Sequence, residues 1–227
     1  TPAHDLNDYE VGIKHNLEMI NIMNPDSSIS DKAPEKYRGM SREAARKQIV
    51  SDLKDSNHLI KEEDYLHKVG YSERGNVPIE YYLSEQWFLK MEDLAKPASK
   101  AVKNKEINFY PNHWVKTYNH WMDNIQDWCI SRQLYWGHQI PVWYKKDADR
   151  SNQDNWFVST TPPTDLENWE QDNDVLDTWF SSWLWPFAVH GWPDIKTTKY
   201  FPTNALVTGP DIIFFWVARM ITVSYTH

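Results

Sequence analysis

Apolar residues that recur every four positions mark the clearest helix in the first third of the chain. Ala45, Ile49 and Leu53 follow one another at this spacing, and Ser41 stands just ahead of them. A serine hydroxyl in that position accepts a hydrogen bond from the first helical turn. The pattern therefore predicts an amphipathic helix over residues 41–55. Weaker patterns predict a short helix over residues 9–15, a strand over 19–23 and a second, acidic helix over 61–69.

The later part of the chain has a pattern typical of nucleotide-binding folds. Residues 205–208 are an apolar run that predicts a buried strand, followed by a turn at Gly209 and a helix over residues 210–223. Proline suits the first position of that helix, because the N–H that it lacks would have no partner there. The order strand, glycine, helix is typical of a parallel sheet. Further patterns predict helices over residues 84–104 and 112–127 and a strand over 139–144.

Tryptophan is distributed unevenly along the chain. The sequence has thirteen tryptophans against only seven glycines, and the first tryptophan is Trp87. The downstream part should therefore hold the larger aromatic core or pocket. Residues 70–83, which contain glycine, proline and paired tyrosines, read as an irregular connection. These two features predict two domains, residues 1–75 and residues 76–227.

Charge and cysteine content limit the possible partners. The formal net charge of -8 argues against a broad basic face, so we expect no DNA partner and only local contact with RNA. A single cysteine, Cys129, excludes an internal disulfide and a zinc site built from several cysteines, which fits the cytoplasm. No apolar run approaches the roughly 20 residues of a membrane-spanning helix. We therefore expect a globular, cytoplasmic protein.

Gly209 and Asp211 are candidates for a ligand contact. Ligands of parallel sheets bind beyond the carboxyl ends of the strands, where glycine permits close approach and a carboxylate can accept hydrogen bonds from ribose hydroxyls. An aspartate that only caps the helix explains the same residues equally well.

Two other segments interleave polar groups with aromatic rings. Residues 174–186 could form an apolar slot for a small ligand that carries an ammonium group, although an ordinary aromatic core is the simpler explanation. Trp136 and Gly137 could form a flat wall that a ligand approaches closely. Arg132 and His138 are polar groups able to meet phosphate or RNA.

Four segments together resemble one enzyme family. The residues Trp-Cys-Ile-Ser-Arg-Gln-Leu-Tyr-Trp-Gly-His-Gln-Ile-Pro, Asp-Val-Leu-Asp-Thr-Trp-Phe-Ser-Ser and Val-Thr-Gly-Pro-Asp-Ile-Ile-Phe-Phe-Trp-Val-Ala-Arg-Met are similar in order and spacing to those of the valyl-tRNA synthetases, which are class I aminoacyl-tRNA synthetases. The opening Thr-Pro-Ala-His-Asp-Leu-Asn-Asp-Tyr-Glu fits as well. Isoleucyl and leucyl relatives share the architecture, but the Asp-Thr-Trp-Phe-Ser-Ser form resembles the valyl enzymes.

The resemblance implies an α/β fold and an internal fragment of a longer enzyme. Residues 1–75 would be the C-terminal part of an inserted editing domain, and residues 76–227 would be connecting helices and the second half of a Rossmann-like aminoacylation domain. The implied reaction is ATP-dependent activation of valine, with Mg²⁺, and transfer to tRNA(Val), with hydrolysis of mischarged threonyl-tRNA. The enzyme is expected to be a monomer. Because HIGH and KMSKS sequences are missing from the 227 residues, we expect the fragment alone to be inactive.

The resemblance also implies roles for individual residues, although it assigns none as catalytic. Trp136, Val175 and Trp179 resemble the walls of the valine pocket, so the two indole rings should meet near residue 209. Gly209 and Asp211 resemble the contacts to the adenosine ribose. Asp8 resembles the editing aspartate that grips the ammonium group of a mischarged residue, with Asp5 beside it in the editing pocket, and the alternative is a solvated turn that caps the next helix. Many relatives carry a cysteine-based zinc knuckle where residues 145–148 stand here, so we predict no zinc.

Two other classes of protein remain as alternatives. A non-catalytic binding or scaffold module could keep the aromatic pocket without its chemistry. A metal-dependent hydrolase could use His4, Asp5, Asp8 and His15, although such polar clusters are common in turns. Residues 222–227 depart from the pattern of the family.

Overall fold

The computed structural model describes residues 1–194 and 199–224 of the chain. The chain divides into two compact units, Thr1–Glu85 and Gln86–His227. The border expected at residue 75 therefore lies before the observed border, which follows Glu85. The identities expected for the two domains stay predictions. Residues 225–227, within the stretch that departs from the family pattern, lie outside the described residues.

The first unit contains two helices around a small core. Its helical segments are α1 (Leu6–His15), a 3-10 turn (Glu35–Tyr37) and α2 (Arg42–Asp55). The Oγ of Ser41 accepts the N–H of Ala44 at 3.2 Å, which confirms the helix predicted over residues 41–55 together with its capping residue. Ala45 is only 2% exposed and packs with Ile29 and Ala33. The short helix predicted over residues 9–15 is also confirmed and begins earlier.

Two other predictions for the first unit are wrong. Residues 61–69 form no regular structure, and Leu66 is 99% exposed. A helix this short is stable only when one face packs against a core, and the charged residues here offer no such face. Residues 19–23 form no strand either, since only the single bridge between Met23 and Ile29 pairs that segment.

Asp52 on α2 collects three hydrogen bonds that hold the 3-10 turn against the helix. Its carboxylate lies 2.7 Å from the Lys36 ammonium and accepts the hydroxyl of Tyr37 at 2.6 Å and the amide of Gln48 at 3.1 Å. The hydrogen bond from Lys36 is the main cause that lowers the pKa of Asp52 to about 2, and those from Tyr37 and Gln48 add to it.

This arrangement predicts an acid-dependent loss of stability in the first unit. The folded pKa lies below the value of about 3.9 for an unfolded aspartate. The contribution of Asp52 should therefore be complete above about pH 4 and disappear as the pH falls toward 2. A ¹³C NMR titration of the carboxyl groups should show the depressed pKa. Asp52→Asn should flatten the pH dependence of unfolding in this window, whereas Asp55→Asn at the end of α2 should not. Equal effects of both variants would contradict the assignment.

The second unit is built from short strands and helices. Its strands are β1 (Phe88–Leu89), β2 (Trp128–Cys129), β3 (Ser131–Arg132), β4 (Val142–Lys145), β5 (Trp156–Val158), β6 (Trp169–Gln171) and β7 (Val175–Leu176). Its α-helices are α3 (Glu92–Lys103), α4 (Trp114–Asp123), α5 (Thr178–Ser182), α6 (Trp185–Ala188) and α7 (Ala218–Ser224). A 3-10 turn (Gln153–Asn155) precedes β5, and a 3-10 turn (Pro210–Ile212) and a π-helical turn (Ile213–Val217) lead into α7. The helix predicted over residues 210–223 is thus confirmed as a continuous helical run of three geometries.

The strands in the described part of the second unit pair only in antiparallel fashion. β1 pairs with β2, β3 with β7, and β4 lies between β5 and β6. The helix predicted over residues 84–104 therefore begins later, at α3, because β1 takes β2 as its partner. The strand predicted over residues 139–144 is confirmed in its second half by β4.

The buried strand predicted over residues 205–208 is wrong for this structure. The segment has no strand pairing, and Val207 is 94% exposed. A strand needs a neighbour that accepts and donates its backbone hydrogen bonds. None of the described segments lies beside residues 205–208 as such a neighbour.

Helix α7 packs between the two largest core clusters of the chain. One cluster places Trp128 and Trp183 against Val217 and Met220, and the other places Ala218 of α7 against Ala98 of α3. Small residues at that contact allow the two helices to approach closely. Consequently the residue that follows Ala218 is held at the junction of the two clusters. In the described ranges, every helix is too short or too polar to traverse a lipid bilayer.

Candidate functional site

Asp177 is a buried carboxylate whose two oxygens are both engaged. It is 5% exposed. Oδ1 accepts the backbone N–H of Trp179 at 3.0 Å, and Oδ2 accepts the indole N–H of Trp128 at 3.1 Å and pairs with the guanidinium of Arg132. A buried carboxylate is tolerated when such partners satisfy it. The three contacts join β2, β3 and the start of α5.

The local sequence explains why these groups meet. β3 and β7 pair antiparallel, with Arg132 opposite Val175. The chain leaves β7 after Leu176, and Asp177 then serves as the N-cap of α5. Aspartate suits that position because its carboxylate accepts backbone N–H groups of the first turn. The same carboxylate therefore caps a helix and pairs with the arginine of the neighbouring strand.

Arg219 on α7 lies over the face of Trp128. Its guanidinium carbon is 3.8 Å from the ring centroid. Burial is the largest influence and lowers the pKa of Arg219, while the charge of Asp177 opposes that shift and the charge of Arg132 adds to it. No hydrogen bond or ion pair joins this guanidinium to another group among the described residues. A partly buried cation with open donors is therefore left facing the space beside Trp128.

That space is a cavity of about 480 Å³ with aromatic walls. The rings that line it are those of Trp121, Trp128, Trp179, Phe214 and Phe215. Trp121 of α4 stacks on Phe214 with ring centroids 3.7 Å apart. Phe214 and Phe215 belong to the π-helical turn, a geometry that is frequent at functional sites. Apolar walls with a few charged groups are characteristic of small-molecule sites.

A larger groove of about 820 Å³ lies along α3 and α4. Two of its lysines are already paired: Lys96 with Glu92 and Asp93, and Lys103 with Asp123. Such exposed pairs contribute little energy. We therefore regard the aromatic cavity as the better candidate for a ligand site.

Of the three residues that resemble valine-pocket walls, the structure places one in the aromatic cavity and two outside it. Trp179 lines the aromatic cavity. Trp136 is 88% exposed and does not line it. Val175 is 5% exposed and packs against the backbone of Gly137, where an added Cβ would lie 2.8 Å from its Cγ2. Val175 therefore lies beside the Trp136–Gly137 turn and away from the cavity, and the meeting of the two indole rings stays a prediction.

Gly209 and Asp211 form one turn at the start of the helical run. Gly209 precedes the first helical residue, Pro210, with an extended backbone. The Oδ1 of Asp211 lies directly over Gly209, since an added Cβ there would be 2.6 Å from it. Both residues are exposed. A ligand could thus approach the glycine backbone and the carboxylate from the same side, and their role as ribose contacts stays a prediction.

Asp5 and Asp8 lie at the start of α1. Asp5 is the N-cap, and its Oδ1 accepts the N–H of Asp8 at 3.0 Å. This geometry matches the helix-capping alternative expected from the sequence. It leaves one oxygen of Asp5 and the carboxylate of Asp8 available for other contacts. The neighbouring His4 uses both ring nitrogens, one near the carbonyl of Tyr81 and one toward the N–H of Ile22, each at 3.0 Å.

These contacts weaken the reading of the first unit as a metal-dependent hydrolase. A metal ligand needs a free ring nitrogen, and His4 has none. Within residues 1–194 and 199–224, the structure contains no group of three His, Cys, Asp or Glu side chains arranged to hold a metal ion.

Two charged residues of the cavity were missed from sequence alone. Arg219 is the single charge in the apolar run from residue 212 to residue 223, and a lone cation in such a run indicates a buried or cavity-facing group. Asp177 was considered only as part of a polar-aromatic segment, although its place before a helix was a capping signal. The pairing of Arg132 with Asp177 gives a structural role to an arginine that the sequence suggested for phosphate or RNA.

Comparison with known proteins identifies the family. The family model described as tRNA synthetases class I (I, L, M and V) matches residues 4–227. A valine-tRNA ligase of Staphylococcus aureus is 56% identical over 225 residues, which cover 97% of this chain. A valine-tRNA ligase of Treponema denticola is 54% identical over 227 residues, or 99% of the chain. The chain spans 25% of the length of each of these relatives.

The predicted family is thereby confirmed. The Asp177 pair lies within motifs that carried the prediction, as do four of the rings that line the cavity, whereas Trp121 lies outside those motifs. The mixed content of helices and strands agrees with a fragment of such an enzyme. With a match over nearly all of its residues, the chain belongs to the class I tRNA synthetase family of the I, L, M and V enzymes.

Proposed function

We propose that the chain is part of a valyl-tRNA synthetase, which activates valine with ATP and transfers it to tRNA(Val). The observation that carries this proposal is the 54–56% identity to valine-tRNA ligases over 97–99% of the chain. Names of the relatives favour valine over isoleucine or leucine as the substrate. Because those relatives are about four times as long, we assign the complete reaction to the longer protein.

The aromatic cavity supports a role in holding the amino acid. Trp179 belongs to a motif that resembles the valine pocket, and it lines the cavity together with Trp128. Flat indole rings can hold a small branched side chain through apolar contact alone. Such a pocket cannot strongly reject threonine, in which a hydroxyl replaces a methyl group, and this enzyme family is itself the usual example of that limit.

Editing of threonyl-tRNA is the second function that we propose, and we assign it to the domain that contains the first unit. Asp5 and Asp8 support this assignment, since a carboxylate is the natural partner of the ammonium group on a mischarged residue. The Asp5 carboxylate keeps one oxygen free while it caps α1. Asp8 lies in the first turn of that helix, next to it in space.

For the second unit we propose the second half of a Rossmann-like domain. The helical run that starts at Pro210 directly after Gly209 supports this, since nucleotide folds place a glycine turn before a helix. Gly209 and Asp211 would contact the ribose of ATP.

The proposal implies ATP, valine and tRNA(Val) as partners of a cytoplasmic, monomeric enzyme. Mg²⁺ would arrive with ATP, because that ion is usually bound by phosphate oxygens and water with only one or two protein carboxylates. We assign no residue of this chain to the ion. The 227 residues contain neither a HIGH nor a KMSKS sequence, so we propose that the chain alone does not activate valine.

The test of this function is valine-dependent pyrophosphate exchange by the full-length protein. Trp179→Ala should lower kcat/KM for valine by about tenfold to a hundredfold, because it removes one wall of the apolar slot. Trp185→Ala is the matched control, since Trp185 is 66% exposed and lies outside the cavity. The isolated 227-residue chain should show no exchange.

Other outcomes separate the alternatives. Full-length protein without valine-dependent exchange would refute the proposed function. Exchange with isoleucine or leucine in preference to valine would assign the chain to a relative of the same family. Titration with a non-hydrolysable valyl-adenylate analogue addresses the scaffold alternative: saturable binding that Trp179→Ala abolishes argues for a retained site.

A further inference from the structure

The guanidinium of Arg219 lines the aromatic cavity, lies against the buried ring of Trp128 and forms no hydrogen bond or ion pair within the described residues. A guanidinium carries five N–H donors in a planar fork and stays protonated in proteins. The face of Trp128 satisfies its charge in part, at 3.8 Å, but a ring face accepts few hydrogen bonds. The nitrogens of Arg219 are not among the fully buried, unpartnered side-chain atoms of the described residues, so solvent or a ligand can reach them. The guanidinium is therefore free to meet an acceptor that a ligand brings into the cavity.

The carboxylates nearest in the cavity do not supply an acceptor. Both oxygens of Asp177 are engaged by Trp179, Trp128 and Arg132. Asp127, also on the cavity lining, is exposed and accepts the backbone N–H of Met91 at 3.2 Å. Neither forms an ion pair with Arg219 in the described structure. Arg132 is satisfied by contrast, since it bonds two backbone carbonyls in addition to Asp177.

We propose that Arg219 binds the carboxylate of the amino-acid substrate in this cavity, while the aromatic walls hold its side chain. The inference rests on the proposed function and adds to it a residue that recognises the substrate. A guanidinium fork matches a carboxylate in shape and charge, and the planar pair is stronger than a neutral hydrogen bond. The same cavity is lined by Trp179, so the apolar and the charged contacts line one space.

The position of Arg219 supports a ligand contact over a purely structural role. Helix α7 and the residue before it are held on both sides by core clusters, through Val217 and Met220 on one side and Ala218 on the other. The helix is therefore anchored without any bond from the arginine. The guanidinium is therefore available to bind a ligand, while the backbone that carries it stays in place.

The test compares three small ligands on the full-length protein by isothermal titration calorimetry. Valine carries both charged groups, 3-methylbutanoate keeps only the carboxylate, and valinol keeps the ammonium but lacks the carboxylate. In Arg219→Gln the affinities for valine and 3-methylbutanoate should fall by at least about tenfold, as expected for loss of a charge-assisted pair. The affinity for valinol should change by less than about twofold.

Two further variants provide controls. Arg219→Lys keeps the charge over Trp128 and loses the fork, so it should recover only part of the affinity for valine. Arg150 also lies over a ring, that of Tyr144 at 4.3 Å, but pairs with Glu170 outside the cavity. Arg150→Gln should therefore leave all three affinities unchanged.

The outcomes distinguish this inference from the proposed function. Equal losses for valine and valinol in Arg219→Gln, or no loss for either, would overturn the role of Arg219. If the wild-type protein shows no valine-dependent pyrophosphate exchange, the proposed function fails. Arg219-dependent binding of 3-methylbutanoate would still support a carboxylate site in that case, and absence of such binding would refute it.

Discussion

Replacement of Asp177 by alanine is expected to lower the free energy of unfolding of the second unit by about 2–3 kcal/mol. The substitution leaves the Arg132 guanidinium without its carboxylate and removes the acceptor of the Trp128 indole N–H. It also removes the cap of α5. The lost cap and the buried indole N–H account for most of this cost, because the Arg132 side chain is 39% exposed and keeps two backbone carbonyls as acceptors.

Tryptophan fluorescence during denaturant unfolding measures the free energy of unfolding of the second unit. All thirteen tryptophans lie at Trp87 or later, so the signal reports on the second unit alone. Asp177→Asn should cost less, since the amide keeps an acceptor oxygen for the cap. Asp174→Asn is the control, because the carboxylate of Asp174 accepts a hydrogen bond from the exposed side chain of Gln133, and the change should alter stability by under about 0.5 kcal/mol. A similar cost for Asp174→Asn and Asp177→Ala would contradict the central role of Asp177.

The second large effect is expected at Gly137. A Cβ at this position would lie 2.8 Å from Cγ2 and 2.9 Å from Cβ of Val175, and the backbone has a φ of +156°. Val175 is buried and paired with Arg132, so it cannot move away without disturbing β7. Gly137→Ala should therefore lower the stability of the second unit by about 2 kcal/mol or more.

A double-mutant cycle tests the physical cause of that loss. If the clash with Val175 is responsible, Val175→Gly, which removes both the Cβ and the Cγ atoms of the contact, should cost less in the Gly137→Ala background than in the wild type, with a coupling energy of about 1 kcal/mol. Gly209→Ala is the matched control. Its φ is -64°, and an added Cβ would meet only the movable carboxylate of Asp211. Additive effects of Gly137→Ala and Val175→Gly would show that the clash is not the cause.

Local patterns predicted the helices whose determinants lie within a few residues of one another. The helix α2 and its cap at Ser41 follow from apolar residues at a spacing of four and one hydroxyl. The helical run after Gly209 follows from a proline at its first position and an apolar stretch behind it. Such elements depend on contacts that a window of a few residues contains.

Strands were predicted poorly because their partners lie far away in the chain. Phe88 pairs with Cys129, so a segment that was expected to be helical becomes a strand. Residues 205–208 have the composition of a strand and stay unpaired here. A strand exists only where a neighbour provides hydrogen bonds, and a sequence pattern does not identify that neighbour.

Only the tertiary structure decided which residues share a cavity. The sequence by itself determined the family, through long motifs in a defined order, and the local helices, because both depend on adjacent residues. It also placed Trp179 among the candidates. The contact between Arg219 and Trp128, and the engagement of both oxygens of Asp177, join residues up to ninety-one positions apart. Those contacts result from the packing of α7 against two cores, which no local pattern specifies.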